Sequence, residues 1–120
     1  MATDIGESGP DVGLIFEALA DPTRRRVVDL LGTGPHRAGV LADATGTSGP
    51  SMSRHLRVLL DAGIVADERG RDDARVRMFH LRPQSVVALR AWVDQLQATW
   101  DHQLAAFKDH VEGRVEEDNR

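Results

Sequence analysis

The chain contains no cysteine, so neither a disulfide framework nor a thiolate metal site can form. A reducing compartment, the cytoplasm, is the simplest home for such a sequence. Aromatic residues make up only 4% of the chain, which leaves aliphatic side chains to fill the interior. No stretch approaches the roughly 18 consecutive apolar residues that a membrane span requires. The opening "MATDIGESGPDVG" has neither the basic nor the apolar region of an export signal, so a soluble, non-exported protein is expected. Internal repeats and low-complexity linkers are also missing. The "GTGP" at 32–35 lacks the Lys-Ser/Thr pair that completes a nucleotide-binding loop. Ser, His and Asp occur without a recognisable catalytic arrangement, and no enzymatic activity is expected.

What is present fits one globular domain. The 120 residues are 41% hydrophobic and 28% charged, ordinary values for a compact core of this size. A domain over 11–112 is expected, flanked by flexible tails at 1–10 and 113–120. The net charge of -4 hides an asymmetry. Residues 1–20 carry four acids and no bases, 21–82 carry eleven bases and eight acids, and 83–120 carry four bases and seven acids. A basic middle between acidic ends is expected when one surface faces a polyanion.

Periodicity gives the element order. Asp11 can cap a first helix with Leu14, Ile15, Ala18 and Leu19 on its apolar stripe. Asp21 followed by Pro22 reads as an N-cap with proline at the first helical position. Val27, Val28, Leu30 and Leu31 then line a second helix that Gly32 and Gly34 stop. "AGVLADATG" is a short third helix with Val40 and Leu41 inward and Gly46 as its left-handed end. Ser48 caps a fourth, with Met52, Leu56, Leu59 and Leu60 inward and Gly63 closing it. "IVADER" and "RVRMFHL" around "GRDDA" read as a hairpin with a charged tip. From Pro83 a helix of about 28 residues is indicated by apolar steps of three and four. The fold class is mainly α with a small β-hairpin, ordered α-α-α-α-β-β-α. Two helices joined by a short turn containing glycine form a helix-turn-helix, and the hairpin behind them makes it winged.

In "SMSRHLRVLLDAGIV", at 51–65, leucines fall on one side of the fourth helix and Ser51, Ser53, Arg54 and Arg57 on the other. Small hydroxyl residues permit close approach to phosphates and base edges. Arginine supplies a fork of donors matching phosphate oxygens or guanine O6 and N7. The hairpin arginines Arg69, Arg71, Arg75 and Arg77 are placed to follow a nucleic-acid backbone or minor groove. Arg24, Arg25 and Arg26 are left out of the site, since one helix can present only one or two of them and the rest can pair with nearby acids. For His55, a phosphate contact and a partly buried imidazole both stay open.

"FEALADPTRRRVVDLL", "AGVLADATGTSGPSMSRHLRVLLDAGIV" and "RVRMFHL" together resemble the ArsR/SmtB winged-helix repressors, over residues 14 to about 110. The late "LRAWVDQLQATW" is similar to a subgroup without metal-binding cysteines. The resemblance implies a homodimer paired through its first and last helices, repressing transcription from a palindromic operator on double-stranded DNA. By position it places base reading on Gly49, Pro50, Ser51, Ser53 and Arg54, with Arg57 near phosphates. Gly49 departs from the Gln or Arg that many relatives carry there. The apolar residues Leu14, Ile15, Trp92, Leu96, Trp100 and Phe107, more than a monomer of 120 residues should need, are the expected dimer interface.

No cofactor is expected. A Zn or Ni response would have to use His102 and His110, eight residues apart on nearly one face of the last helix, a spacing unlike the family's usual pattern. The alternatives to a DNA-binding repressor are thus a metal-responsive regulator of the same family and a winged helix that docks an acidic protein.

Overall fold

The computed structural model describes residues 11–118, with side chains as far as 115. The tail expected at 1–10 lies outside the described residues. The order is α1 (Val12–Leu19), α2 (Pro22–Leu31), α3 (Ala38–Thr45), α4 (Gly49–Asp61), β1 (Val65–Arg69), β2 (Arg77–Leu81) and α5 (Pro83–Asp118), as the sequence pattern indicates.

Three helix starts, those of α1, α2 and α4, follow a capping side chain. The Asp11 carboxylate accepts from the Gly13 and Leu14 amides, and that of Asp21 accepts from the Arg24 amide at 3.0 Å. The Ser48 hydroxyl accepts from the Ser51 amide at 3.2 Å. These bonds satisfy donors that have no partner inside the helix. Gly46 ends α3 at φ 65°, a conformation that costs most L-residues about 1–2 kcal/mol. It lets the Thr47 amide reach back to the Ala42 carbonyl at 2.9 Å, so α4 begins only a short turn after α3 ends. The β1–β2 hairpin is antiparallel with Val65 opposite Leu81 and Arg69 opposite Arg77.

The chain divides into two units, one ending at Leu89 and the other starting at Arg90. The first unit holds the core, built from Ile15 and Ala18 of α1, Val27 and Leu31 of α2, and Leu41 and Ala42 of α3. Met52, Leu56 and Leu59 of α4 join them, with Ile64, Val65 and Phe79 from the hairpin. Aliphatic side chains dominate, and Phe79 is the single buried aromatic among the described residues. The opening turns of α5, with Ser85 buried and Leu89 half-buried, belong to this unit.

Three expectations need correction. Ile15, assigned to a dimer interface, is 1% exposed: it lies on the same α1 stripe as Ala18 and is consumed by the core of the first unit. Val40, expected inward, is 45% exposed. The buried stripe of α3 follows Leu41, Ala42 and the half-buried Ala38 and Thr45, at the three-and-four spacing of one helical face, and Val40 lies off it. Finally, α5 does not stop at 112 but runs 36 residues to Asp118. Gly113 costs a helix only about 1 kcal/mol, and Val111 and Val115 continue the apolar spacing across it.

The second unit is the remainder of α5. Its exposed apolar residues Val93, Leu96, Trp100, Leu104, Phe107, Val111 and Val115 advance by three, four, four, three, four and four. That spacing repeats every eleven residues, or about 3.67 per turn, close to the natural pitch of a straight helix.

Candidate nucleic-acid interface

The fourth helix owes its orientation to one flank. Met52 and Leu59 are wholly buried and Leu56 nearly so, and this anchor leaves Gly49, Pro50, Ser53, Arg54 and Arg57 exposed with Ser51 half-buried. The Arg54 guanidinium donates to the Ser51 hydroxyl at 3.1 Å, which draws the two side chains together on the outer face. A Cβ built on Gly49 would meet nothing within 4 Å, so the helix entrance is sterically open. Arg57, one turn further, makes no hydrogen bond or ion pair among the described residues.

The hairpin arginines fall into two pairs. Arg75 and Arg77 are engaged: Arg75 grips Asp73 with Nε at 3.1 Å and Nη2 at 3.3 Å from its two oxygens. The Asp73 carboxyl is held below its ordinary value by the side-chain hydrogen bond from Arg75, then by that residue's amide. Arg77 donates to Asp67 at 2.8 and 2.7 Å and lies 5.1 Å from the centre of the Phe79 ring. Arg69 and Arg71 are exposed and make no such bond among the described residues. Arg69 faces Arg77 directly across the ladder, a like-charge juxtaposition that the Asp67 carboxylate on Arg77 relieves.

The basic triplet of α2 has another use. Arg24 donates to the Ala18 carbonyl at 2.7 Å, and Arg25 to those of Leu19 and Ala20 at 2.8 and 3.1 Å. Arg26 donates to the Ala44 carbonyl at 2.9 Å. All three guanidiniums therefore close the C-terminal ends of α1 and α3, where carbonyls lack intrahelical partners and the helix dipole is negative. The sequence pattern left one or two of them to face DNA and the rest to pair with nearby acids; the partners are backbone oxygens, with His55 also beside Arg24. His55 stands half-buried, its Nδ1 3.2 Å from Arg24 Nη1 and 3.9 Å from Asp21 Oδ2. The imidazole thus links α4 to α2.

Sequence reasoning missed Arg37. It is exposed at the N-cap of α3 and lines an open groove of about 500 Å³ together with Ser53, Arg57, Arg75 and Arg77. Nothing local signals this, because it depends on a bridge between His36 and Phe79, residues far apart in sequence.

The expected interface residues Leu14, Trp92, Leu96, Trp100 and Phe107 are each exposed in their own units. His102 and His110 are exposed as well. Among the described residues no three His, Cys, Asp or Glu side chains are grouped to hold a metal ion, and no helix is long and apolar enough to cross a membrane.

A family model described as a helix-turn-helix domain matches residues 19–68, which run from the end of α1 into β1. The HTH-type transcriptional regulator Rv2034 of Mycobacterium tuberculosis is 35% identical over 97 residues, covering 81% of this chain and 85% of that protein. A crystallised ArsR family transcriptional regulator is 33% identical with a TM-score of 0.67, covering 75% of this chain and 90% of its own. The chain belongs to the ArsR family. The transcriptional repressor SdpR of Bacillus subtilis is 44% identical over 55 residues, a match spanning 61% of that protein and 46% of this chain. These relatives are a transcriptional repressor and transcriptional regulators, and the winged helix-turn-helix found here is the DNA-binding fold of such a regulator.

Proposed function

We propose that this ArsR-family protein is a cytoplasmic homodimeric repressor that reads a palindromic operator with α4 in the major groove. The observation that carries this reading is the division of α4 into a buried flank of Met52, Leu56 and Leu59 and an outer face of Ser53, Arg54 and Arg57. A major groove about 12 Å wide admits such a helix. Gly49, Pro50, Ser51, Ser53 and Arg54 face base edges, Arg57 meets phosphates, and Arg69, Arg71, Arg75 and Arg77 follow the flanking backbone.

Pairing rests on the second unit. The exposed apolar stripe through Leu96, Trp100 and Phe107 is the kind of surface that marks a protein–protein contact, and a second copy supplies a matching stripe about a two-fold axis. In the first unit, Leu14 of α1 is exposed as well. The protein acts by binding rather than catalysis and needs no resident cofactor, so dialysis against a chelator should leave operator affinity unchanged.

The test is binding to the DNA upstream of the protein's own gene against a shuffled duplex, across a range of salt. Several phosphate contacts give a steep loss of affinity with salt. Arg54→Ala should weaken operator binding by about 1–3 kcal/mol while leaving shuffled DNA nearly unaffected. Arg75→Ala should lower both alike. Salt-insensitive binding, or no preference for the operator, would favour a winged helix that docks an acidic protein.

A further inference from the structure

We propose that Arg37 is a DNA-backbone contact, forming with Arg57 a phosphate seat between the recognition helix and the wing; this rests on the DNA-binding reading above. Three elements converge on the groove: the N-cap of α3 gives Arg37, α4 gives Ser53 and Arg57, and the wing gives Arg75 and Arg77. Its floor is apolar, made by Leu56, Leu60, Val76 and Phe79, and low-dielectric walls sharpen the field of charges at the rim.

The four guanidiniums are not equivalent. Arg75 and Arg77 are each already paired with a wing carboxylate, Asp73 and Asp67, in exposed ion pairs that a phosphate would have to displace. Arg37 and Arg57 have no hydrogen-bonded or carboxylate partner among the described residues. The uncompensated charge of the groove therefore sits on these two, from different elements, across a hollow of about 500 Å³. A phosphate diester offers the two acceptor oxygens that a guanidinium fork engages, and the successive diesters of a nucleic-acid backbone, with one charge each, suit two cations better than one.

Arg37 is also held in place. The His36 amide donates to the Phe79 carbonyl at 3.0 Å, and the Phe79 amide donates to the His36 carbonyl at 2.9 Å. That reciprocal pair fastens the residue before Arg37 to β2 as a one-residue third strand. The side chain of Phe79 is buried at the groove floor, so the bridge ties the wing, the start of α3 and the floor to one another. In a helix-turn-helix the first helix crosses the backbone, and a cation at its leading end is placed to meet it.

The test compares wild type, Arg37→Ala, Arg37→Lys and, as a charge control, Arg114→Ala on α5, each against operator and shuffled duplex over a salt series. Thermal melts confirm that every variant is folded. Arg37→Ala is expected to weaken both duplexes by the same factor, on the order of tenfold, and to flatten the log–log salt slope by about 0.9 for each phosphate that the arginine neutralises. Arg37→Lys should keep most of the slope, and Arg114→Ala all of it. A folded Arg37→Ala protein whose slope matches Arg114→Ala, while wild type stays steep, overturns the seat and leaves the DNA reading standing. A flat slope in wild type overturns the DNA reading itself.

Discussion

Arg24, Arg25 and Arg26 are the densest run of positive charge in the chain, and the structure makes them fasteners rather than DNA contacts. Replacing Arg24 with methionine tests this, since it keeps the aliphatic stem and removes the guanidinium. Two good hydrogen bonds disappear, to the Ala18 carbonyl at 2.7 Å and to His55 at 3.2 Å, with a third at the 3.5 Å limit to the Glu17 carbonyl. Bonds involving a charged group contribute about 1.5–3 kcal/mol each. Arg24 is half-buried and His55 can recover a water, so the lower end applies and the combined loss is about 2–3 kcal/mol. For a unit of this size each kcal/mol moves the midpoint by about 4–8 °C, giving a fall on the order of 10–20 °C. The loss should be followed by calorimetry or circular dichroism, because both tryptophans lie on α5 beyond Arg90 and their emission need not report the first unit. Well below its midpoint, Arg24→Met should bind DNA with an unchanged salt slope. A stability loss under about 0.5 kcal/mol combined with a slope flattened by about 0.9 per protomer would refute this assignment.

Other substitutions probe the remaining links. Leu59→Ala empties a wholly buried position on the inner flank of α4 and should cost about 2.7–5 kcal/mol in urea unfolding. Gly46→Ala puts a side chain at φ 65° and should cost about 1–2 kcal/mol in a thermal melt, with Gly46→Asn recovering part of it. The Asp21 carboxyl is held below its ordinary value of 3.8, first by the Arg24 amide against the opposing effect of burial, and further by the charges of Arg24 and His55. A lowered folded value means its stabilisation is complete above pH 3.8 and drains away as pH falls through that lowered value. Asp21→Asn, which keeps a capping oxygen, should show a weaker loss of stability across that acidic window.

Most of the fold is legible in the sequence because its signals are local. Asp21 before Pro22, Ser48 before Pro50 and Gly46 after "AGVLADAT" each mark a helix end by chemistry confined to a few residues, and all three act where expected. The inward flank of α4 follows from periodicity alone. What is not legible depends on partners distant in sequence. The apolar pattern of α1 cannot separate Ile15, taken by the core, from Leu14, left outside. Gly113 and the acids after it look like a stop to α5, whereas a helix tolerates both. The groove at Arg37 needs the bridge between His36 and Phe79, and the state of Arg75 and Arg77 needs the register of the hairpin. Neither leaves a mark in a local pattern.

The central claim is that the outer face of α4 lies in the major groove, twice per operator. Methylation interference on the operator reads this directly, because guanine N7 lies in the major groove and adenine N3 in the minor. The expected result is two clusters of guanine N7 interference about 10 base pairs apart, with at least one guanine in each ceasing to matter in Arg54→Ala. Binding indifferent to N7 methylation, or a single cluster, would contradict the account.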